Sequence, residues 1–506
     1  MRISARELLG QLLDARSFVS WDRPPSTPVA SARYREELRE AELAAGTDEA
    51  VLTGEGLLRG RRVAVIACEF GFLAGSIGVA AAERIVSAVE RATELALPLV
   101  VSPTSGGTRM QEGTVAFVQM VKIAGAVAEH KAAGHPYLVY LRDPTMGGVF
   151  ASWGSLGHIT FAEPGALIGF LGPRVYKALY GADFPEGVQT AENLYRNGVI
   201  DGVVPVSVFR RIAYRALSVF SGAVRPDPVV ARELSRPPAP AVGFSRASPE
   251  EVWRSVLISR RPDRPGIREL LRHVTHRVPL SGTGQGEADR TVVHALARFR
   301  GRGCVVFGHD RSRQSAENTM GPAALREARR SMALARELRL PLVLVIDTLG
   351  ASLSREAEER GLAPEIARCL ADLVTLDTPT VSVLLGQGTG GGALALLPAD
   401  RVLAATNAWL APLPPEGASA IVHRDTAHAA EMAAAQGIRA DALHRDGIVD
   451  RLVAEYPDAA DEPHEFAHRM VTAIAVELAE LADTDPEKLR ARRSVRYRRL
   501  GLVDGP

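Results

Sequence analysis

A fixed offset runs through this chain and constrains its fold more than any other feature. Pro136 and Pro379 stand 243 positions apart, and so do Gly147-Gly148 and Gly390-Gly391. The stretches Glu94-Leu95-Ala96-Leu97-Pro98-Leu99-Val100 and Glu337-Leu338-Arg339-Leu340-Pro341-Leu342-Val343 keep the same spacing. Gly78 with Gly321, and Gly60 with Gly303, keep it too. An offset held over such a length implies duplication, and its period is far longer than a solenoid unit. The chain is therefore expected to hold two similar domains.

Each copy carries strands that run into glycines. Tyr137-Leu138-Val139-Tyr140-Leu141 leads through Asp143-Pro144-Thr145-Met146 to Gly147-Gly148 and then into residues suited to a buried helix. A strand that ends in Gly-Gly and opens a helix leaves backbone N–H groups unpaired. Without Cβ atoms, a ligand can approach that backbone closely. The free amides and the helix dipole both favour negative charge there. Taken alone, a Gly-Gly pair is better explained as a tight turn, but a second one, Ser105-Gly106-Gly107-Thr108, follows the apolar strand expected at 97–102. One N–H from each turn could converge on a single oxygen, as the enolate of a thioester requires. The counterparts in the second copy are Asp347-Thr348-Leu349-Gly350-Ala351 and the loop Gly386-Gln387-Gly388-Thr389-Gly390-Gly391-Gly392-Ala393.

In order along the chain, residues 1–50 form a leader with two helices and a short strand. Strands then alternate with helices, as in βαβ crossovers with a parallel sheet, so the fold class is α/β. Ligands in such layers bind at the carboxyl edge of the strands, where the Gly-Gly turns lie. Arg225-Pro226-Asp227-Pro228 and Ser235-Arg236-Pro237-Pro238-Ala239-Pro240 suggest a proline-rich linker at 225–244. That places the first domain at 1–224 and the second at 245–506.

Composition narrows the class of partner. The formal net charge is +1, which gives no global field for nucleic acid or a membrane surface. No apolar run reaches the roughly 20 residues of a bilayer span. The three cysteines, Cys68, Cys304 and Cys369, form no CxxC pattern, which fits a reducing compartment and argues against a disulfide framework. The N-terminus lacks the apolar core of a secretory signal, so a cytoplasmic location is expected.

These motifs together resemble the carboxyltransferase of biotin-dependent acetyl-CoA carboxylase. The first half is similar to the bacterial β subunit through Ser105-Gly106-Gly107-Thr108-Arg109-Met110-Gln111-Glu112, 143–148 and 166–175. The second half is similar to the α subunit through Ile346-Asp347-Thr348, Gly391-Gly392-Ala393-Leu394-Ala395 and Pro415-Glu416-Gly417. The resemblance implies two tandem ClpP/crotonase-like superhelical domains built from β-β-α repeats. It implies transfer of a carboxyl group from carboxybiotin on a carrier protein to acetyl-CoA, giving malonyl-CoA for fatty acid biosynthesis. Amides around Gly106, Gly107, Gly147 and Gly148 would hold the thioester oxygen. Those around Gly350, Ala351, Gly391 and Gly392 would hold the biotin ureido oxygen, and biotin itself would take the α-proton. Substrate-binding positions would be Arg109, Met146, Gly172, Arg174, Ala393 and Gly417. Partners would be biotin carboxylase and biotin carboxyl carrier protein. Fused-half members complete the site across a dimer, so a homodimer or larger homo-oligomer is expected.

Four departures accompany the resemblance, one of them Asp310-Arg311-Ser312-Arg313-Gln314 where the α-type half has a lysine-rich stretch. The four-cysteine zinc ribbon of bacterial β subunits has no counterpart here, so no zinc and no other metal is expected. Leu349 stands where the α-type turn has proline, and Gln387 where it has glutamate. Among lesser candidates, Arg109 is divided between a CoA phosphate and Glu112, and Arg174 between the acyl-CoA site and a plain loop. His158, His309 and His423 are isolated, Glu163 and Glu416 suit caps, and the basic tail at 488–499 suits a solvated helix or a partner contact. The rival functions are a propionyl-CoA or other acyl-CoA carboxyltransferase, a biotin-dependent decarboxylase subunit, a hydratase-like enzyme, and an impaired scaffold of a carboxylase complex.

Overall fold

The computed structural model describes residues 2–25, 31–220, 227–235 and 247–499. The chain divides into two compact units, residues 1–217 with 284–287, and 218–283 with 288–506. The division therefore falls ahead of the proline-rich stretch expected to be a linker. Residues 225, 226 and 236–244 of that stretch lie outside the described residues. Its middle is not a spacer but the helix Pro228–Leu234. Asp227 accepts the Val229 N–H at 2.8 Å and proline occupies the first helical turn, which is a helix start rather than a linker signature.

In the first unit one seven-stranded sheet runs Val19–Ser20, Val51–Leu58, Arg61–Cys68, Leu99–Ser102, Tyr137–Leu141, Ile159–Ala162 and Gly202–Val203. The first three strands pair antiparallel and the rest parallel. Helices Val79–Glu94 and Gly113–Ala132 make the crossovers between the central parallel strands. Every residue of Leu99–Ser102 and Tyr137–Leu141 is buried, as expected for strands covered on both faces. Ile85, Val89 and Ile123 from those helices pack with Ile66, Val101 and Val139 in the core.

The second unit repeats the order in an eight-stranded sheet: Arg277–Leu280, Val292–Phe299, Arg302–His309, Leu342–Thr348, Thr380–Thr389, Arg401–Ala405 and Arg451–Val453, with Trp409–Ala411 added beside the end of Thr380–Thr389. The duplication is visible in the backbone itself. Helices Val79–Glu94 and Pro322–Glu337 lie 243 positions apart, and the residues closing them, Ala96 and Arg339, share φ +51°. The offset is not constant, however. The hairpin tips are Arg59-Gly60 and Arg300-Gly301, all with positive φ, so Gly60 corresponds to Gly301 and not to Gly303. Gly303 sits inside a strand, where a Cβ would lie 1.9 Å from the Val219 carbonyl oxygen.

The two long helices bury opposite charges at equivalent positions. Arg84 is paired with Asp48 at 2.8 Å. Its counterpart Glu327 accepts the Asp289 N–H at 2.6 Å, and burial pushes its carboxyl up from 4.5 to about 8. The folded chain thus keeps a proton that the unfolded chain releases between pH 4.5 and about 8. Stability falls as pH rises through that window, by up to about 1.4 kcal/mol per pH unit. Glu327→Gln is expected to remove this slope. Urea midpoints at pH 5 and pH 8.5 would show the variant gaining on the parent at the higher pH, and an equal difference at both pH values would contradict the assignment.

The basic tail is solvated along most of its helix, but one face is anchored in the second unit. Helix Pro486–Arg499 carries Arg493, which is fully buried and holds Asp400 at 2.8 Å together with the carbonyl oxygens of Leu376 and Thr378. Arg496 holds Asp450 at 2.7 Å. No described helix is long and apolar enough to cross a membrane. All three cysteines are free and buried.

Candidate functional site

In the first unit, strand Leu99–Ser102 delivers the turn at 103–109. Gly107 takes φ +121°, a conformation only glycine adopts without strain. Ser105 imposes that shape: its hydroxyl accepts the Gly107 N–H at 3.0 Å and donates to the Gly107 carbonyl at 3.2 Å. The Gly106 N–H donates to the Ala74 carbonyl at 2.9 Å. Both glycine amides expected to meet a ligand are therefore engaged within the protein. Thr108 is placed differently. Ile77 pairs with it through its neighbours, giving its N–H to Gly107 and taking the Arg109 N–H, both at 3.0 Å. The Thr108 amide itself donates to no described acceptor.

The second turn closes against the first. Gly147, at φ +62°, opens the helix Gly147–Phe150, whose first-turn amides lack intrahelical acceptors. A Cβ on Gly147 would stand 3.7 Å from the Gly107 Cα, and one on Gly148 3.5 Å from the Thr108 Oγ1. The Ser105 N–H donates to the Pro144 carbonyl at 2.7 Å, and the Met146 N–H returns to the Ser105 carbonyl at 3.0 Å. Thr104 adds a hydroxyl bond to the Asp143 carbonyl at 3.1 Å. An open groove of about 580 Å³, lined by Leu73, Ala74, Ser76, Gly106, Thr108, Met110 and Gln111, lies alongside.

The second unit builds the same device. Gly350 has φ +134°, and the Thr348 hydroxyl accepts its N–H and donates to its carbonyl, both at 3.0 Å. Met320 pairs with Ala351 as Ile77 does with Thr108. Gly390 repeats φ +62° and opens the helix Gly390–Leu394. A Cβ on Gly392 would lie 3.4 Å from the Ala351 nitrogen, so these two turns also touch. Asp347 ties them: one carboxyl oxygen accepts the Gln387 N–H at 3.1 Å, the other the Arg311 guanidinium at 2.9 Å. Leu349 has an N–H that a proline would lack, and Gln314 accepts it at 3.3 Å. Beside this turn is a groove of about 740 Å³ lined by Arg260, Arg264, Arg268, Arg311, Asp347 and Gln387 among others.

The side-chain expectations fare unevenly. Arg109 is fully buried and held by both Glu49 oxygens and the Ser76 carbonyl, so it cannot reach a CoA phosphate. Glu112 lies 3.7 Å from Arg109 and instead accepts the Val79 N–H and the Tyr34 hydroxyl, each at 2.6 Å. Met146 is buried at the start of the Gly147 helix and presents no side chain to a ligand. Gly172 precedes helix Pro173–Tyr180 with open space where a Cβ would stand, and the Arg174 side chain lies outside the described residues. Ala393 is buried, and Gly417 packs so that a Cβ would meet Leu413 at 3.0 Å.

The remaining charged candidates serve structure. Glu163 accepts the Asp143 N–H at 3.2 Å. Glu416 is bound by Arg260 at 3.0 Å, and that hydrogen bond holds its carboxyl below the usual range. His158 accepts the Tyr137 N–H at 3.0 Å. Burial lowers His309 to about 4, and it sits against Met320 at 3.2 Å. The residues missed from sequence were Ser105, Thr108 and Asp347. The available signal was a hydroxyl two residues before a glycine, which both turns contain.

The geometry in each unit is thus a pair of touching glycine turns with amides left over, and a family match decides its meaning. Residues 4–493 match the family of the carboxyl transferase domain. The chain belongs to the carboxyl transferase family. It is 63% identical over 503 residues to a probable biotin-dependent acyl-coenzyme A carboxylase beta3 subunit of Mycobacterium tuberculosis, covering 99% of each chain. It is 37% identical to the acetyl-coenzyme A carboxylase carboxyl transferase subunits beta/alpha of Salinispora arenicola, covering 99% of this chain and 91% of that one. The crystal structure of transcarboxylase 12S with methylmalonyl-coenzyme A bound shares its fold at TM-score 0.72 and 21% identity, covering 94% of this chain and 90% of that one. The carboxyltransferase therefore spans nearly the full length of its relatives, and its membership in the biotin-dependent acyl-CoA carboxyltransferases agrees with the resemblance read from the motifs.

Proposed function

We propose that this carboxyltransferase moves a carboxyl group from carboxybiotin on a carrier protein to acetyl-CoA, with both reacting oxygens held by backbone amides. The observation that carries the reading is the duplicated pair of turns. In the first unit, the Thr108 amide, which donates to no described acceptor, and the Gly148 amide in the first turn of the adjoining helix would suit the thioester oxygen. In the second, Ala351 with Gly391 and Gly392 suits a ureido oxygen. Biotin supplies the carboxyl group; this chain supplies the two oxyanion sites and the exclusion of water. Ionisable side chains by the first pair are already committed, Arg109 to Glu49 and Glu112 to Tyr34. That fits chemistry in which the protein provides no general base.

The carboxyl donor requires biotin carboxylase and biotin carboxyl carrier protein as partners. The reading also requires a first-half site to meet a second-half site, and we propose a homo-oligomer. Exposed apolar side chains on helix Gly113–Ala132 (Val115, Phe117, Val118, Val121) support self-association. The name of the Mycobacterium tuberculosis relative, an acyl-coenzyme A carboxylase subunit, favours a second reading equally, transfer to propionyl-CoA or another acyl-CoA. Turnover with acetyl-, propionyl- and butyryl-CoA side by side, using carboxylated carrier protein, decides between them. Acetyl-CoA is expected to give the highest kcat/KM. A tenfold or greater preference for a longer acyl group would establish the second reading, and no turnover with any of them would leave only a scaffold.

A further inference from the structure

We propose that Glu269, His273 and His464 in the second unit form a binding site for a first-row divalent transition metal of the Zn²⁺ class. Glu269 lies in the short helix Ile267–Leu270 and His273 in the turn that follows it, where the His273 N–H donates to the Leu270 carbonyl at 3.1 Å. His464 is the second residue of helix Pro463–Leu481. The Glu269 Oε1 lies 3.7 Å from the His464 Nδ1 and 4.0 Å from the His273 Nε2. All three ligand atoms fall within 4.8 Å of one another.

Those separations are too long for hydrogen bonds. They approach the roughly 3.4 Å between ligands that tetrahedral coordination produces with metal bonds near 2.0–2.2 Å. His464 is 78% exposed, so its ring is free to close the remaining gap and leave the outer position of the ion to water.

An independent observation points to a cation. The Glu269 Oε1 is shielded from solvent and accepts no hydrogen bond among the described residues. A buried acceptor left in that condition is costly. Its sister oxygen takes the Arg272 Nη1 at 2.6 Å, which fixes the carboxylate with Oε1 aimed at the two imidazoles. Such outer hydrogen bonds are how metal-binding carboxylates are oriented. The nearby Arg268 is committed to Asp310 at 2.7 Å and does not compete for Oε1. Two imidazoles and one carboxylate select zinc, cobalt or nickel over magnesium and calcium, which prefer all-oxygen sites. Separated by four and by 191 positions, the three residues form no recognisable sequence motif. Bound metal would clamp the 266–273 turn to helix Pro463–Leu481. Glu269, Arg272 and Pro463 also line the arginine-rich groove, so the clamp would hold that wall in place.

The test uses the full chain without a histidine tag, stripped with EDTA and titrated calorimetrically with Zn²⁺, then with Co²⁺ followed by visible absorption. One ion per chain with a Kd tighter than about 10 µM is expected. His464→Ala and Glu269→Gln should each weaken it at least about tenfold. The double change His423→Ala with His428→Ala, at an exposed stacked histidine pair elsewhere, should leave it unchanged. Because His464 is exposed, its variant should fold normally even if the Glu269 variant does not. Absence of one-to-one binding, or unchanged affinity in His464→Ala, or loss of binding in the His423–His428 double variant, would overturn the proposal.

Discussion

Valine at Gly147 is expected to lower carboxyl transfer by at least about 10²-fold while leaving the far-ultraviolet circular dichroism unchanged. The backbone at Gly147 has φ +62°, where a β-branched residue is strained. Its Cβ would stand 3.7 Å from the Gly107 Cα, so the two γ-methyl groups would push into the facing turn. Either response, a changed φ or a displaced loop, moves the Gly148 amide relative to Thr108. Two donors that must meet one oxygen lose their common focus, and a single lost donor already costs about 10²–10³ in turnover. Gly391→Val tests the other half, since its Cβ would come within 2.7 Å of the Ile366 Cδ1. The two variants should differ in binding: acyl-CoA affinity measured by calorimetry should fall in Gly147→Val and persist in Gly391→Val. Normal turnover in both would refute the assignment of these turns.

The sequence showed where the turns are but not which amides they spare. The recurring offset, although it drifts at the hairpin tips, was enough to foresee two similar domains, because a duplicated pattern of strand, helix and glycine folds in the same way twice. Within a Gly-Gly turn, however, the free amide is decided by partners the glycines do not reveal. Ser105 captures the Gly107 amide from two residues away, and Ala74 captures the Gly106 amide from a different loop. The amide left without a described acceptor is therefore that of Thr108, and the same hydroxyl device in the second unit leaves that of Ala351, a position already expected from the motif. The basic tail is a related case. Charge density alone suggests a solvated face, yet Arg493 finds Asp400 and three carbonyl groups in the interior, 93 or more positions away. In the proline-rich stretch, position matters more than number: Pro228 follows the capping Asp227 and opens a helix instead of extending a linker.

Arg109 shows the same difference between local pattern and distant partner, and its replacement makes the largest stability prediction. Arg109→Met should lower unfolding free energy by about 3–5 kcal/mol, measured by the urea midpoint. The guanidinium is 0% exposed and Glu49 1% exposed, so removing the cation strands a carboxylate in the interior. The Ser76 carbonyl loses its donor at 2.8 Å, and the Phe72 ring loses a guanidinium centred 5.4 Å above it. A double change, Arg109→Met with Glu49→Leu, should recover much of the loss, because apolar residues replace a buried ion pair at little net cost. A phosphate-binding arginine would behave in the opposite way, raising KM for acyl-CoA with stability intact. The ion pair also has a catalytic consequence: Arg109 is the residue after Thr108, and its own N–H is bound to Ile77. Loosening it should release the Thr108 amide from its orientation. The surviving folded fraction of Arg109→Met is therefore expected to lose kcat more than acyl-CoA affinity, which separates a support for the turn from a contact with substrate.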